Sequence, residues 1–404
     1  MTLMKNTVGP LPYRLVDFDQ HSYEADDCFT RFMPKDKLDT AIYPVEIPTG
    51  RRVLIANDRL VTALETIGEV APVPGSLAEM LRQRASGEPV DSERFSIPMQ
   101  IEYRDHDARI KQLDEQQIER SIMYPGGWAL MAEAYLKDTG VLYDNLRSFN
   151  RWINEDWGFG YSDRIYAPAL LSLRDLGLAC AELDRVLAAG ARFIMLPPGP
   201  AYGRTPGDPY FDPFWARINE AGAVLAYHIS EFYYQENVAT AWGWKLAPPF
   251  QFSAWQWQNT YGERPITDTL SALIFDNLFG RYPNIKVLVS EFGAEWVPHF
   301  IRHMDKSRGM GRNGPWVGGQ LKERPSRIFR EHIRVVPYPE DDTVSLAARL
   351  GGTDCLVMGS DWPHAEGLRE PADFYAKVEG LGEDARRAFL RDNGLNLLGV
   401  GYKN

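Results

Sequence analysis

Short apolar runs recur along the chain, and most of them end on a polar or charged residue. Eight read as strands: RLVDFDQH (14–21), RSIMYP (120–125), YAPALLSL (166–173), ARFIMLPP (191–198), AVLAYHIS (223–230), KVLVSEFG (286–293), HIRVVPYP (332–339) and CLVMGSDW (355–362). They are too short for buried helices and are set off by Gly, Pro or polar residues. Between several of them the apolar positions return every three or four residues instead. The leucines of DLGLACAELDRVLAAG (175–190) keep that spacing, and FDPFWARINEAG (211–222) opens beside Asp212 and Pro213 and stops at a Gly. Eight strands alternating with helices predict an α/β fold, a (β/α)8 or TIM barrel, built as one domain over residues 1–404. In that fold the working residues gather at the carboxyl ends of the strands.

Three segments break the repeat. Residues 27 to about 104, with a short strand expected near RRVLIANDR, read as a cap inserted after the first strand. Residues 231–264 carry Trp242, Trp244, Trp255 and Trp257 with Tyr233, Tyr234 and Tyr261, and residues 307–331 are basic and Gly-rich. Loops of this length are functional or disordered. The tryptophans argue for order, and the first two excursions are expected to close over the site as a cap and an aromatic lid.

The polar strand ends are of one chemical kind. Side chains alternate between the faces of a strand, so Asp17, Asp19 and His21 point the same way. GSDWPH (359–364) returns Asp361 and His364 near the other end of the chain, His228 ends the fifth run and Glu291 the sixth. On parallel strands these groups share one rim, as the ligands of a metal ion would. Asp17 is expected as a hydrogen-bond partner, and His106, His299, His303 and His332, in helical or pre-strand contexts, as structural histidines. Imidazole and carboxylate without thiolate suit zinc, manganese or ferrous iron. Such an ion acidifies a bound water from a pKa of 15.7 to about 7, or clamps a carbonyl or carboxylate. Asp361, Glu291 and His364 are the candidates for proton transfer.

Composition narrows the partners. A net charge of −11 disfavours a nucleic-acid groove or an anionic membrane surface, which leaves a small molecule. Cys28, Cys180 and Cys355 lie far apart and are odd in number, so neither a disulfide framework nor a thiolate zinc knuckle is expected. No apolar run reaches the ~18 residues of a membrane span, and the first residues lack the apolar core of a signal peptide. A reduced, cytoplasmic protein is the expectation, and a homodimer the commonest assembly. The aromatic lid suits a cyclic or largely apolar molecule bearing a carboxylate. Trp242, Trp244, Trp255 and Trp257 are its candidate contacts, with Arg204, Arg334 and Lys245 as partners for the carboxylate.

Five segments carry a resemblance: VDFDQHSYE (16–24), GARFIMLPPGPAYGRTPGDPYFDPFW (190–215), RYPNIKVLVSEFGAEWVPHF (281–300), VMGSDWPHAEGLREPADF (357–374) and LRDNGLNLLG (390–399). Over nearly its whole length the chain resembles the amidohydrolase-related (amidohydrolase 2) family, which includes aminocarboxymuconate-semialdehyde and resorcylate decarboxylases. The resemblance implies a catalytic metal held by Asp19, His21, His228 and Asp361. Two departures matter. The first strand reads Asp19-Gln20-His21 where better-known members read His-x-His or Glu-x-His, and Glu291 stands where the decarboxylases place a His. ARFIMLPP also lacks the lysine that, carbamylated, bridges two metals in some hydrolytic relatives. A second metal would need carboxylates, with Glu24 and Glu291 as suppliers.

Three functions fit these features. One is a metal-dependent hydrolase or non-oxidative decarboxylase acting on a carboxylate-bearing small molecule. A second is a carboxylate-rich dinuclear non-haem iron oxygenase, a hydroxylase on the same barrel. The third, a binding protein or unrelated lyase, leaves the ligand set without a use. One zinc or manganese per chain, two irons, or no metal separates them.

Overall fold

The computed structural model describes residues 9–48, 52–65, 68–87, 93–130, 132–229, 234–247 and 252–399. Its strands run from β1 (Leu15–His21) through β2 (Ile42–Glu46), β3 (Arg52–Ala56), β4 (Arg59–Glu65), β5 (Val70–Pro72) and β6 (Ser96–Pro98) to β7 (Ile118–Tyr124). Then follow β8 (Ile165–Tyr166), β9 (Ala169–Leu170), β10 (Phe193–Met195), β11 (Val224–Tyr227), β12 (Lys286–Val289) and β13 (Ile333–Val335). Two parallel sheets, β1-β7-β8 and β13-β12-β11-β10-β9, make the barrel wall.

Two irregular stretches join these sheets. The third predicted run is split into β8 and β9 around Pro168, which has no N–H to give to a ladder. The eighth, residues 355–362, makes isolated parallel bridges, Leu356 with Val335 and Trp362 with Gln20. Backbone bonds from Phe18 N–H to the Met358 carbonyl (2.8 Å) and from Val357 N–H to the Val335 carbonyl (3.1 Å) hold it between β1 and β13. Gly359 explains its irregularity: a Cβ there would lie 2.4 Å from Val336 Cγ1 and 2.6 Å from Asp19 Cβ. All eight predicted runs thus lie in the wall, most of them shortened because their ends peel into loops.

Helices pack outside. Thr139–Asp156 buries Leu142, Leu146, Phe149, Trp152 and Ile153 along one face, and the Asp138 carboxylate caps it by accepting the Val141 N–H at 2.9 Å. Asp212–Ala221 ends on Gly222 at φ 64°, a left-handed terminus that glycine adopts without strain.

Within the insertion, β2-β3-β4 and β5-β6 form two antiparallel sheets beside a helix, Leu77–Ala85. RRVLIANDR contains β3 and a two-residue turn, Asn57–Asp58, with φ of 49° and 54°, the twist of a tight hairpin. The insertion is tied to the turn after the eighth run: Gly75 and Leu77 N–H donate to the carbonyls of His364 (3.1 Å) and Ala365 (2.8 Å). Residues 307–331 include the end of a helix, Val297–Met310, and most of another, Pro325–His332. In residues 231–264 the described part makes short helical turns, among them Gln235–Ala239 and Trp257–Tyr261; Tyr233 lies outside the described residues. Among the described residues no helix is long and apolar enough to cross a membrane.

Candidate metal centre

Side chains from the ends of β1, β11 and β12 and from the turn at 359–366 converge at the barrel mouth. His21 Nε2 lies 3.4 Å from Asp19 Oδ1 and 3.3 Å from Asp361 Oδ1. His228 Nε2 lies 3.5 Å from Asp19 Oδ1 and 2.9 Å from Glu291 Oε2. His364 Nδ1 sits 3.0 Å from Asp361 Oδ1, and its ring stacks on that of His21 at 3.9 Å. Three overlapping groups keep their ligand atoms within 4.8 Å of one another: Asp19, His21 and His228; His21, Asp361 and His364; Glu291, Asp361 and Glu366.

The donor set fits a cation. His21 Nδ1 faces the Pro125 carbonyl at 3.1 Å; donation there leaves the Nε2 lone pair for the cavity. Nε2 of His21, Nε2 of His228 and Oδ1 of Asp19 are all buried without a hydrogen-bond partner. Each such orphan costs about 1–3 kcal/mol, so three that converge call for a common partner. Charge leads to the same place. Burial would lower the pKa of His21, but the Asp19 and Asp361 carboxylates outweigh it and hold the imidazole well above its ordinary value. On His228 burial is likewise outweighed, by Glu291 and Asp19, and the pKa is pushed up to about 9. Against burial, His364 and His21 hold the Asp361 carboxyl well below the usual range. The centre demands positive charge, which protons supply when no metal does.

Buried polar residues set this geometry. Glu291 and Asp361 occupy left-handed backbone, φ 61° and 55°, which costs non-glycine residues about 1–3 kcal/mol and turns both side chains at their strand ends. The Tyr338 hydroxyl donates to the Glu291 carbonyl at 2.9 Å, and Asp361 N–H to the Asp19 carbonyl at 2.6 Å. Asp17 accepts from Ser360 N–H (2.9 Å), the Ser360 hydroxyl (2.6 Å) and Gln20 Nε2 (3.0 Å), fastening the turn to β1. Fully buried Arg109 donates from Nη2 to the His21 carbonyl at 2.8 Å and lies over the Trp362 ring at 4.7 Å.

A cavity of about 210 Å³ opens onto Asp19, Glu291, Asp361 and Glu366, walled by Leu77, Trp257, Tyr261 and Tyr338. One wall residue comes from the insertion and two from the aromatic excursion. A larger cavity of about 550 Å³ lies between the loops that follow β7, β9 and β10, but it contains none of the ligand groups.

The other expected contacts lie elsewhere. Trp242, 68% exposed, and Trp244 pack on Trp255 at ring distances of 5.7 and 6.1 Å, and none of the three lines the cavity of the ligand groups. Arg204 lies exposed over the Tyr210 ring at 4.4 Å. Arg334 donates to the Arg330 and Ile333 carbonyls, near the start of its strand and so away from the mouth. It does not meet Glu291. The Lys245 side chain lines neither cavity, and its carbonyl accepts from Gln256. Glu24 is buried but joins none of the three ligand groups; its Oε1 accepts the Ala129 N–H at 3.2 Å. The residues that sequence reasoning overlooked are Glu366, Leu77, Tyr338 and Arg109. Only Glu366, two residues beyond His364, stood close to a recognisable signal.

No curated protein matches the chain by sequence. Among solved structures it is similar to an amidohydrolase from Mycobacterium avium subsp. paratuberculosis K-10, 32% identical over 96% of this chain and 100% of that one, with a TM-score of 0.82. The fold also matches 2,6-dihydroxybenzoate decarboxylase from Rhizobium, at 17% identity over 96% and 99% of the two chains and a TM-score of 0.60. It further matches a dihydroxybenzoic acid decarboxylase from Polaromonas sp. JS666 with bound manganese and the inhibitor 2-nitroresorcinol, 17% identical over 96% and 97%, TM-score 0.59. The family model for amidohydrolases matches residues 129–400. With that match over most of its length, and with a barrel that turns imidazoles and carboxylates into its mouth, the chain belongs to the amidohydrolase family.

Proposed function

We propose that this protein is a metal-dependent hydrolase or non-oxidative decarboxylase acting on a small, single-ring molecule that bears a carboxylate. The convergence of Asp19, His21, His228 and Asp361, with orphaned atoms on three of them, carries the reading. A divalent ion held by these four residues would acidify water or polarise a substrate oxygen. A cavity near 210 Å³ is small beside the ~300–1,000 Å³ of drug-sized pockets, which suits one ring. No lysine or arginine lines it among the described residues, so a substrate carboxylate would turn towards the cation. Trp257, Tyr261 and Leu77 exclude water from one side. On the other, Glu291 and Glu366 present carboxylate oxygens that can take or give a proton, and His364 Nδ1–H donates to Asp361 Oδ1 and fixes it.

The decarboxylases of similar fold motivate the assay. Metal-loaded protein is incubated with a panel of hydroxybenzoates that includes 2,6-dihydroxybenzoate, and with esters, lactones and amides of single-ring acids. Carbon dioxide release or hydrolysis that disappears on chelation is the expected result. Metal-loaded protein inert towards both classes overturns the reading. The third ligand group, Glu291 with Asp361 and Glu366, favours a second reading, a dinuclear iron oxygenase. Iron-loaded protein that consumes dioxygen only when substrate and reductant are present would decide for it.

A further inference from the structure

The cavity of about 550 Å³ takes no part in the chemistry described above. It lies among the loops after β7, β9 and β10 and the turn Gln235–Ala239, and it shares no lining residue with the cavity of the ligand groups. Pockets of ~300–1,000 Å³ hold drug-sized molecules, larger than one ring. Its walls are held in place before anything binds. Pro197, Pro198, Pro200 and Pro206 line it, with φ fixed by their rings and no N–H in need of a partner. Within that run Gly199 N–H donates to Thr269 Oγ1 at 2.7 Å. Arg174, also in the lining, donates from Nη2 to the Glu133 carbonyl at 2.9 Å and from Nη1 to the Leu136 carbonyl, and its guanidinium lies 4.9 Å over the Tyr202 ring. A site built this way loses little freedom when it is filled.

Two polar groups in this lining are left for a ligand. Tyr227, at the end of β11, is 1% exposed, and burial alone raises the pKa of its hydroxyl, with no hydrogen bond or charge to answer it. A buried hydroxyl without a partner is costly. Glu133 is the second. The hydroxyls of Ser172 (2.6 Å) and Tyr202 both donate to its Oε1, which leaves Oε2 to accept from a ligand. The charges of the lining cancel among the described residues, Glu133 and Glu236 against Lys137 and Arg174, with Lys137 paired to Glu236 at 2.7 Å. A ligand therefore needs no net charge. A hydroxyl group, which can donate to a carboxylate oxygen and accept from a tyrosine, matches both open partners.

We propose that this cavity is a second binding site, separate from the metal centre, for an uncharged and largely apolar molecule of two or more rings that carries a hydroxyl group, with Tyr227 and Glu133 as its polar contacts. His228 follows Tyr227 in the chain, so the site stands beside the metal centre. It rests on neither the metal nor the reaction assigned to it.

Full-length protein, metal-loaded and chelated, is titrated calorimetrically with 4-phenylphenol. One equivalent is expected to bind to both forms with the same affinity. Tyr227→Phe keeps the ring and removes the hydroxyl, and is expected to weaken binding roughly three- to tenfold, the loss of one hydrogen bond. 4-Methoxybiphenyl, which cannot donate, is expected to bind the wild type more weakly by a similar factor. Trp257→Ala, in the wall of the metal cavity, should leave the affinity for 4-phenylphenol unchanged. Binding that is lost on chelation or weakened in Trp257→Ala places the probe in the metal cavity and overturns the second site. Undiminished binding in Tyr227→Phe, or no saturable binding in the wild type, overturns it as well. None of these results bears on the metal centre, whose occupancy is counted separately.

Discussion

At Glu24 two demands oppose each other. Its carboxylate accepts the Ala129 N–H, while burial pushes its pKa from 4.5 to about 7. A folded-state pKa above the unfolded one means that folding takes up a proton between those values, so this group's contribution falls as pH rises from about 4.5 to about 7. Glu24→Gln keeps an acceptor and removes the charge. If the residue only holds the turn at 127–130, the variant should melt higher than wild type at pH 8 and keep its metal; loss of metal would make Glu24 a ligand. His228 tests the opposite case. It lies at the rim, so His228→Ala should lose metal while its circular dichroism stays unchanged, and full occupancy in that variant would sink the assignment. Strand alternation and repetition at strand ends made Asp19, His21, His228 and Asp361 legible as candidates. Glu366 was not, because it lies in a turn, where no periodicity says which way a side chain faces.

Among elements, the strands that carry the centre were readable and the loops that shape it were not. Apolar runs bounded by turn residues located every barrel strand, but the break at Pro168 and the looseness around Gly359 depend on which backbones lie alongside. Aromatic content marked residues 231–264, yet only Trp257 of the four tryptophans lines the cavity of the ligand groups. Trp257→Ala should therefore lower kcat/KM for whichever substrate is turned over, by roughly tenfold or more, about the 1.4 kcal/mol of a lost ring contact. Trp242→Ala, at a site 68% exposed and away from that cavity, should stay within about twofold. Equal losses in steady-state kinetics would mean that the whole excursion closes as one body. Helix ends belong to the legible part: Asp138→Ala should cost about 1 kcal/mol in urea denaturation through the lost Val141 N–H cap.

For the molecule as a whole, the centre ties the first strand, the fifth and sixth strands and the last turn of the barrel together. A cation bound only in the folded state adds stability by mass action, ~2.7 kcal/mol at a hundredfold excess over Kd. Chelation should accordingly lower the melting temperature by several degrees, and metal should restore it; an unchanged Tm with metal verifiably removed would show that the orphaned atoms find other partners. The sequence by itself determined the barrel and the chemical type of its rim, because both follow from local rules: strand length, side-chain alternation, helix spacing, and which residue types end each run. Tertiary structure alone decided which of those groups meet. Arg334 spends its guanidinium on the Arg330 and Ile333 carbonyls near the start of its strand, Glu24 was drawn off to a backbone N–H, and Glu366 was brought in by a turn folded against β1 through Asp17 and Ser360. Such convergence depends on distances between residues hundreds of positions apart, which no local pattern encodes.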